Sequence, residues 1–332
     1  MLRYAADLRT LSFVSLYFLT LTLLWVWTPS DLSQIDIRWV IPSYLLLCMF
    51  AFQGAVSTHN AVHCPIFKRR GLNKFWQVVL TLTYGHPVSS YVPGHNLSHH
   101  KHTQSERDVM RTTKTRFRWH LLNLFLFMLM CVPGIMKADT AYTKSMRTRH
   151  PRWFRQMAYE LVALWGITGV LLFLDWQKTL VLWVVPHLYA QWGIVTMNLL
   201  QHDGCDQTSE WNHSRNFVGK LVNWFTFNNG FHTIHHMKPG LHWSLTPAAH
   251  AEIVAPHIHP NLDQKSLFVY LWKTFLLSNR TTYDGKPYSP EPAGTDQPWV
   301  PHPRETLDDL GAESLDNGHA GLNEMVAHSA SQ

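Results

Sequence analysis

Residues Trp39–His63 read WVIPSYLLLCMFAFQGAVSTHNAVH. The first part, Trp39–Val56, is largely apolar and carries no charge. It runs directly into His59-Asn-Ala-Val-His63. A helix needs roughly 20 apolar residues to span a hydrocarbon core about 30 Å thick. Histidines four apart lie on one face of such a helix. The stretch therefore predicts a membrane helix that ends in a pair of imidazoles. An all-α integral membrane fold with metal chemistry at the ends of its helices follows.

Working outward, four further stretches are candidate spans: Leu11–Trp27, His120–Met136, Tyr159–Trp176 and Thr179–Leu200. The first has no small-residue cleavage site after it, so it reads as a retained helix rather than a signal peptide. Phe75–Val92 is also apolar, but Gly85-His86-Pro87 interrupts it and Pro93-Gly94 closes it, which predicts an interfacial or buried segment. Composition agrees. In 332 residues, hydrophobic side chains make up 46% and charged ones only 15%, against roughly 25% charged in soluble domains.

The net charge of +6 does not point to nucleic acid, because the basic residues flank apolar spans and no nucleic-acid-binding motif accompanies them. Lys68, Arg69, Arg70 and Lys74 follow the second stretch. Lys137, Lys144, Arg147, Arg149, Arg152 and Arg155 follow the third. Positive loops face the cytoplasm. The less basic Pro29–Arg38 and Asp175–Lys178 fit outside turns of two helical hairpins. Cys48, Cys64, Cys131 and Cys205 are too scattered for a disulfide framework. Trp25, Trp27, Trp39 and Trp183 suit interface belts.

The unusual count is histidine, 22 residues, as many as Asp and Glu together. Four groups occur: His59 and His63; His95-Asn-Leu-Ser-His99-His100; His202; and His232-Thr-Ile-His235-His236. A lone H-x-x-x-H carries little weight. All four groups, each near the cytoplasmic end of an apolar segment, carry much more. Adjacent histidines on a helix point about 100° apart, so His99-His100 and His235-His236 could each serve two ions. Nine imidazoles exceed what one ion uses, and they suit a pair of iron ions better than zinc, which takes three or four ligands. If the groups form one site, an even number of crossings separates any two. One of the three stretches between His100 and His232 then does not cross. His120–Met136 is the candidate, because both its flanks are basic and Pro133-Gly134 breaks its end. The expectation is two transmembrane hairpins, at about 11–56 and 159–200, with a cytosolic helical cap carrying the histidines.

These boxes resemble those of the membrane fatty acid desaturase family: H-x(3,4)-H, then H-x(2,3)-H-H, then H-x-x-H-H, over about residues 40–250. The resemblance implies that His59, His63, His95, His99, His100, His232, His235 and His236 hold two iron ions on the cytoplasmic side. His202 stands where the family has a further ligand, just after the last span. Asn198 matches an asparagine that in some members holds a metal-bound water. The family's H-D-x-x-H is H-N-A-V-H here, so an acid is missing at position 60. Asn60, Asn96 or Asp203 could orient ligands instead.

The implied reaction is O2-dependent removal of hydrogen from an unactivated methylene of a lipid-, CoA- or carrier-linked acyl chain, giving a cis double bond. Electrons would come from an external ferredoxin or cytochrome b5-type donor. A di-iron hydroxylase of acyl chains, alkanes or carotenoids is the alternative, and a metal transporter, whose ligands would sit near the membrane midplane, is a distant one. Arg69, Arg70, Arg107 and Arg111 could meet a phosphate head group. His102 lies close to the second box, His242 could support a ligand, and His187 sits inside a span. His86, His250, His257 and His259 read as structural or surface residues. From Arg280 on, prolines and acids dominate, so residues 1–279 form the family-like domain and 280–332 a disordered or loosely attached tail.

Overall fold

A computed structural model describes residues 1–297 apart from Ile35. Helix α1, Asp7–Trp27, and helix α2, Ile37–His63, form the first pair. Asp36 starts α2 by accepting a hydrogen bond from the Arg38 N–H, a common way to satisfy a free helix N-terminus. Helix α3, Arg70–Tyr84, is too short to span. It ends at Gly85, which takes the left-handed conformation at φ 73°. A side chain there would also strike His187, whose Cβ would lie 2.3 Å from the new carbon. Glycine is needed on both counts.

Helix α4, Val88–Val92, runs into a π-helical segment, Pro93–His99, and then into α5, His100–His102. Helices α6, His120–Arg149, and α7, Pro151–Leu174, follow. A short α8, Trp176–Thr179, leads through a π segment, Leu180–Val184, into α9, Val185–His202. Beyond lie α10, Lys220–Phe225, and α11, His232–Met237. Two-residue strands Asn216–Phe217 (β1) and Asp263–Gln264 (β2) pair in parallel.

Among the described residues five helices are long and apolar enough to cross a membrane: α1, the Val40–His63 part of α2, α6, α7 and Trp176–His202. They correspond to the five apolar stretches singled out in the sequence. The short α3 agrees with the reading of Phe75–Val92 as non-spanning.

Packing fixes which ends meet. Phe13, Tyr17 and Leu24 of α1 bury against Leu47, Phe50 and Ala51 of α2 and Leu182 and Ala190 of the last long helix. At one end, Lys178 donates to the Trp25 carbonyl at 3.1 Å, so the turn after α1 and the turn after α7 lie together. Helix α6 behaves differently. Its first half, Leu124 and Phe127, packs with Leu199 and Leu200 at the histidine end of α9. Its second half, Tyr142 and Met146, packs with Ala61, Val62 and Ile66 at the histidine end of α2. Trp183 is buried and donates to the Thr168 hydroxyl at 2.9 Å, so it is no belt residue. Trp27 is 74% exposed. The Trp39 side chain lies outside the described residues.

Within 280–297, several residues contact the rest of the chain. The Arg280 guanidinium pairs with buried Asp203. Arg111 bonds Asp296 and the Gly294 carbonyl, and Lys114 reaches Asp296 at 3.0 Å. Cations left buried by the fold hold this segment, which composition alone could not reveal. The rest of the expected tail, 298–332, lies outside the described residues.

Candidate metal centre

The structure brings all nine box histidines together in two groups. His59, His63, His95, His100 and His235 form one, and His99, His202, His232 and His236 the other. Within each group the candidate ligand atoms lie within 4.8 Å of one another. The helices explain the split. On α11, His232 and His236 are four apart and share a face, while His235 points elsewhere. The adjacent pairs divide between the groups as the 100° step predicts.

The second box departs from α-helical spacing. His95 and His99, four apart, would share a face of an α-helix, yet they fall in different groups. His100 joins His95 instead. In an α-helix His100 would sit about 140° around from His95. The π segment widens the turn: the His100 N–H bonds the His95 carbonyl, and this i→i+5 register carries His100 back over His95. Their Nε2 atoms are 3.2 Å apart. Pro93 begins the segment without an N–H to give. Glu160 of α7 anchors the approach, accepting from the Ser89 N–H at 2.8 Å and its hydroxyl at 3.0 Å.

Distances test whether these residues fit a metal. His63 and His95 Nε2 lie 3.0 Å apart, and His100 and His235 Nε2 3.1 Å apart. In the other group, His202 lies 2.9 Å from His232 and 3.1 Å from His236, which are themselves 3.1 Å apart. Hydrogen bonds cannot hold that triangle. A neutral ring nitrogen carries either a proton or a lone pair, so at least one edge must set like against like. A central cation turns all three lone pairs into attraction. Nitrogens about 2.05 Å from one ion lie ~2.9 Å apart at right angles and ~3.3 Å apart in a tetrahedron. The observed separations of 2.9–3.2 Å lie within that range, so the rings are spaced as nitrogens around one ion would be. Protonation is also discouraged. Burial, reinforced by neighbouring imidazoles, holds His95, His100, His232, His235 and His236 well below the usual histidine range.

Outer contacts aim the rings. His99 Nδ1 lies 2.9 Å from Asp108, a fully buried carboxylate that also accepts from the backbone N–H groups of Gln104 and Met110. Burial opposes its charge, but His99 and the two N–H donors outweigh this and keep Asp108 below the ordinary Asp range. His202 Nδ1 meets the His213 carbonyl at 3.1 Å. His59 Nδ1 meets Asn60 Oδ1 at 3.3 Å, and Asn229 donates to the same oxygen at 2.9 Å. Asn60 thus contacts a candidate ligand, as expected. Asn96 donates to the Val62 carbonyl instead. Asp203 turns toward Arg280 and lies 3.4 Å from His120. The sequence reading missed Asp108, His213 and Asn229, which share no spacing rule with the boxes.

Asn198 is buried and donates to the Met110 carbonyl at 2.6 Å. It lines a cavity of about 390 Å³ together with His59, His95 and His232, beside Phe52, Val56 and Ile194. An apolar chamber therefore opens onto both histidine groups. None of Arg69, Arg70, Arg107 and Arg111 lines it, and Arg111 is buried in the contacts described above.

His102 belongs to neither group. His242 binds Asp7 at 3.1 Å and Ser244 at 2.8 Å, tying the loop after α11 to α1. His187, within the last long helix, is tied through Nε2 to the Tyr17 hydroxyl of α1 at 2.9 Å and the Leu82 carbonyl of α3 at 3.0 Å. His250 pairs with Asp263 at 3.1 Å, and His257 packs on Trp211.

The fatty acid desaturase family model matches residues 37–262, from the start of α2 past the last histidine box. The chain belongs to the fatty acid desaturase family. Membership makes it an oxidoreductase of the desaturase or related hydroxylase kind, and it accords with helices apolar enough for a membrane. No curated protein matches the chain.

Proposed function

We propose that the protein is a membrane di-iron desaturase that introduces a double bond into a fatty acyl chain. The observation that carries this is the gathering of nine imidazoles, in groups of five and four, beside a largely apolar cavity that His59, His95 and His232 line. Two iron ions, when bound, would supply dioxygen activation. The ligands would be His59, His63, His95, His100 and His235 for one ion and His99, His202, His232 and His236 for the other. With its amide nitrogen bonded to the Met110 carbonyl, Asn198 would have its own carbonyl oxygen left to accept a hydrogen bond from a water held by the metal. The remaining work is done by the protein. The chamber holds the methylenes against the histidines and excludes water, while Asp108, Asn60 and the His213 carbonyl fix the rings. Overall, a –CH2–CH2– unit, O2, two electrons and two protons give an alkene and two waters. The electrons come from a partner such as a ferredoxin or a cytochrome b5-type protein.

The same packing supports four crossings. The histidine groups meet, so an even number of crossings separates them. Both halves of α6 pack at the histidine ends of other helices. Leu122, Phe125, Leu129 and Met136 meanwhile present an exposed apolar face. With both halves packed at those ends, α6 then runs along the histidine side of the bundle instead of crossing. Helices α1 with α2, and α7 with α8–α9, then form the two hairpins, with the histidines in a cytosolic cap beside the basic loops.

The test is expression in a host of defined fatty acid content, with products read by mass spectrometry. A new alkene absent from a His235→Ala variant supports the proposal. An alcohol without alkene would replace desaturation by hydroxylation, and a new product that survives His235→Ala would refute the site.

A further inference from the structure

The chamber at the histidines is not alone. A larger cavity of about 810 Å³ lies among α6, α7 and α9. His86, Ser90, Asp139 and Gln191 line both. The two spaces therefore meet at a collar of polar side chains drawn from the turn before α4, from α4, from α6 and from α9. The collar is braced. Ser90 donates to Asp139 Oδ2 at 3.0 Å, and the Gln191 amide donates to the Gly85 carbonyl at 3.0 Å. The other Asp139 oxygen is buried and has no hydrogen-bond partner among the described residues. A buried polar oxygen left unpaired is costly; burial pushes this carboxyl up to about 7, so in its protonated form it can donate to an ester carbonyl, a partner that a hydrocarbon chain alone does not offer.

The outer cavity has two unlike walls. One is apolar, with Leu161, Leu164 and Trp165 of α7. The other, on α6, carries Thr140, Thr143, Lys144 and Arg147. Lys144 and Arg147 are exposed, and three residues apart they share a helix face. Neither has an acidic partner among the described residues. The neck offers no lysine or arginine to an anion, whereas the mouth attracts one. A ligand with a negative head and an apolar tail fits in only one direction.

Resting on the desaturase reading, we propose that the two cavities form one substrate site for an acyl lipid with an anionic, phosphate-type head group. The head lies against Lys144 and Arg147. The polar linkage sits at the Ser90–Asp139 collar, and the acyl chain enters the inner chamber toward the histidines. This moves the head-group site away from the arginines that the sequence suggested. It also sets the position of reaction, because the chain is gripped at its head and the reacting carbon is counted from that end.

The experiment uses the purified, metal-loaded full chain and two probes with the same acyl group, lysophosphatidic acid and monoacylglycerol. They differ only in the phosphate. The double variant Lys144→Glu/Arg147→Glu should lower kcat/KM for lysophosphatidic acid by about tenfold or more, mainly through KM. Monoacylglycerol should change by less than about twofold. Metal content and melting temperature report that the variant is folded. Across a series of acyl lengths, the new double bond should keep a constant distance from the carboxyl carbon. Equal effects of the variant on both probes, or a bond position fixed from the methyl end, would overturn this placement while leaving desaturation intact. Absence of an alkene with every acyl lipid would instead remove the reading on which it rests.

Discussion

Asp108 offers a direct measure of how outer contacts hold the metal centre. Its carboxylate is fully buried and lies 2.9 Å from His99 Nδ1. That contact fixes the proton on Nδ1 and leaves the Nε2 lone pair for a metal. In Asp108→Asn the charge is lost, and the new NH2 group must face either the ring N–H or the backbone N–H of Met110. A hydrogen bond to a charged group is worth about 1.5–3 kcal/mol net, which corresponds to roughly 10- to 150-fold in affinity. Loss of such a contact typically costs a metal site 10- to 100-fold. Only the four-histidine group includes His99, so one ion should leave at a much lower chelator concentration than the other. Metal content by mass spectrometry across a chelator series should show a two-step loss. Asn60→Ala removes only a neutral contact of 3.3 Å and should shift the five-histidine group by less than about tenfold. If both ions stay with unchanged affinity in Asp108→Asn, His99 either is not a ligand or is not aimed by Asp108.

Three further outcomes follow from the same contacts. In the metal-free protein, the histidines held below their usual range stay neutral as pH falls, while the unfolded chain takes up protons below about pH 6.5. Stability is therefore lost toward acid, by up to about 1.4 kcal/mol per histidine per pH unit. Melting should fall by several degrees between pH 7.5 and 5.5, and a flat profile would contradict neutral burial. Arg280→Ala strands the buried Asp203 carboxylate. It should cost about 3 kcal/mol, measured by thermal unfolding, with partial rescue by Asp203→Asn. Gly85→Ala combines a positive φ with a 2.3 Å clash against His187. It should lower the melting temperature markedly, whereas Gly71→Ala, which meets nothing within 4 Å, should not.

What could be read from the sequence was what is local in the chain. The spacing of His232, His235 and His236 gives their directions on a helix, and the length of an apolar run gives its capacity to span. The pairing of His95 with His100 was hidden, because it depends on a π turn that only the Pro93-Gly94 break hints at. Asp108 was hidden too. It returns to His99 over a turn in which Gln104 takes φ 63°, and a periodic pattern carries no trace of that reversal. Arg111 looked like a surface cation because sequence does not say what covers it. Asp296, 185 positions further on, does. Helix α6 has the composition of a span, and sequence does not say that its two halves pack at the histidine ends of other helices.

The neighbouring imidazoles at 99–100 and 235–236 have a mechanical consequence. Each pair rides on one short stretch of backbone but reaches into different groups. Rotating either stretch moves both of its rings at once, so one histidine group cannot be tightened without disturbing the other. The two groups are geared to each other by covalent bonds, not merely placed side by side.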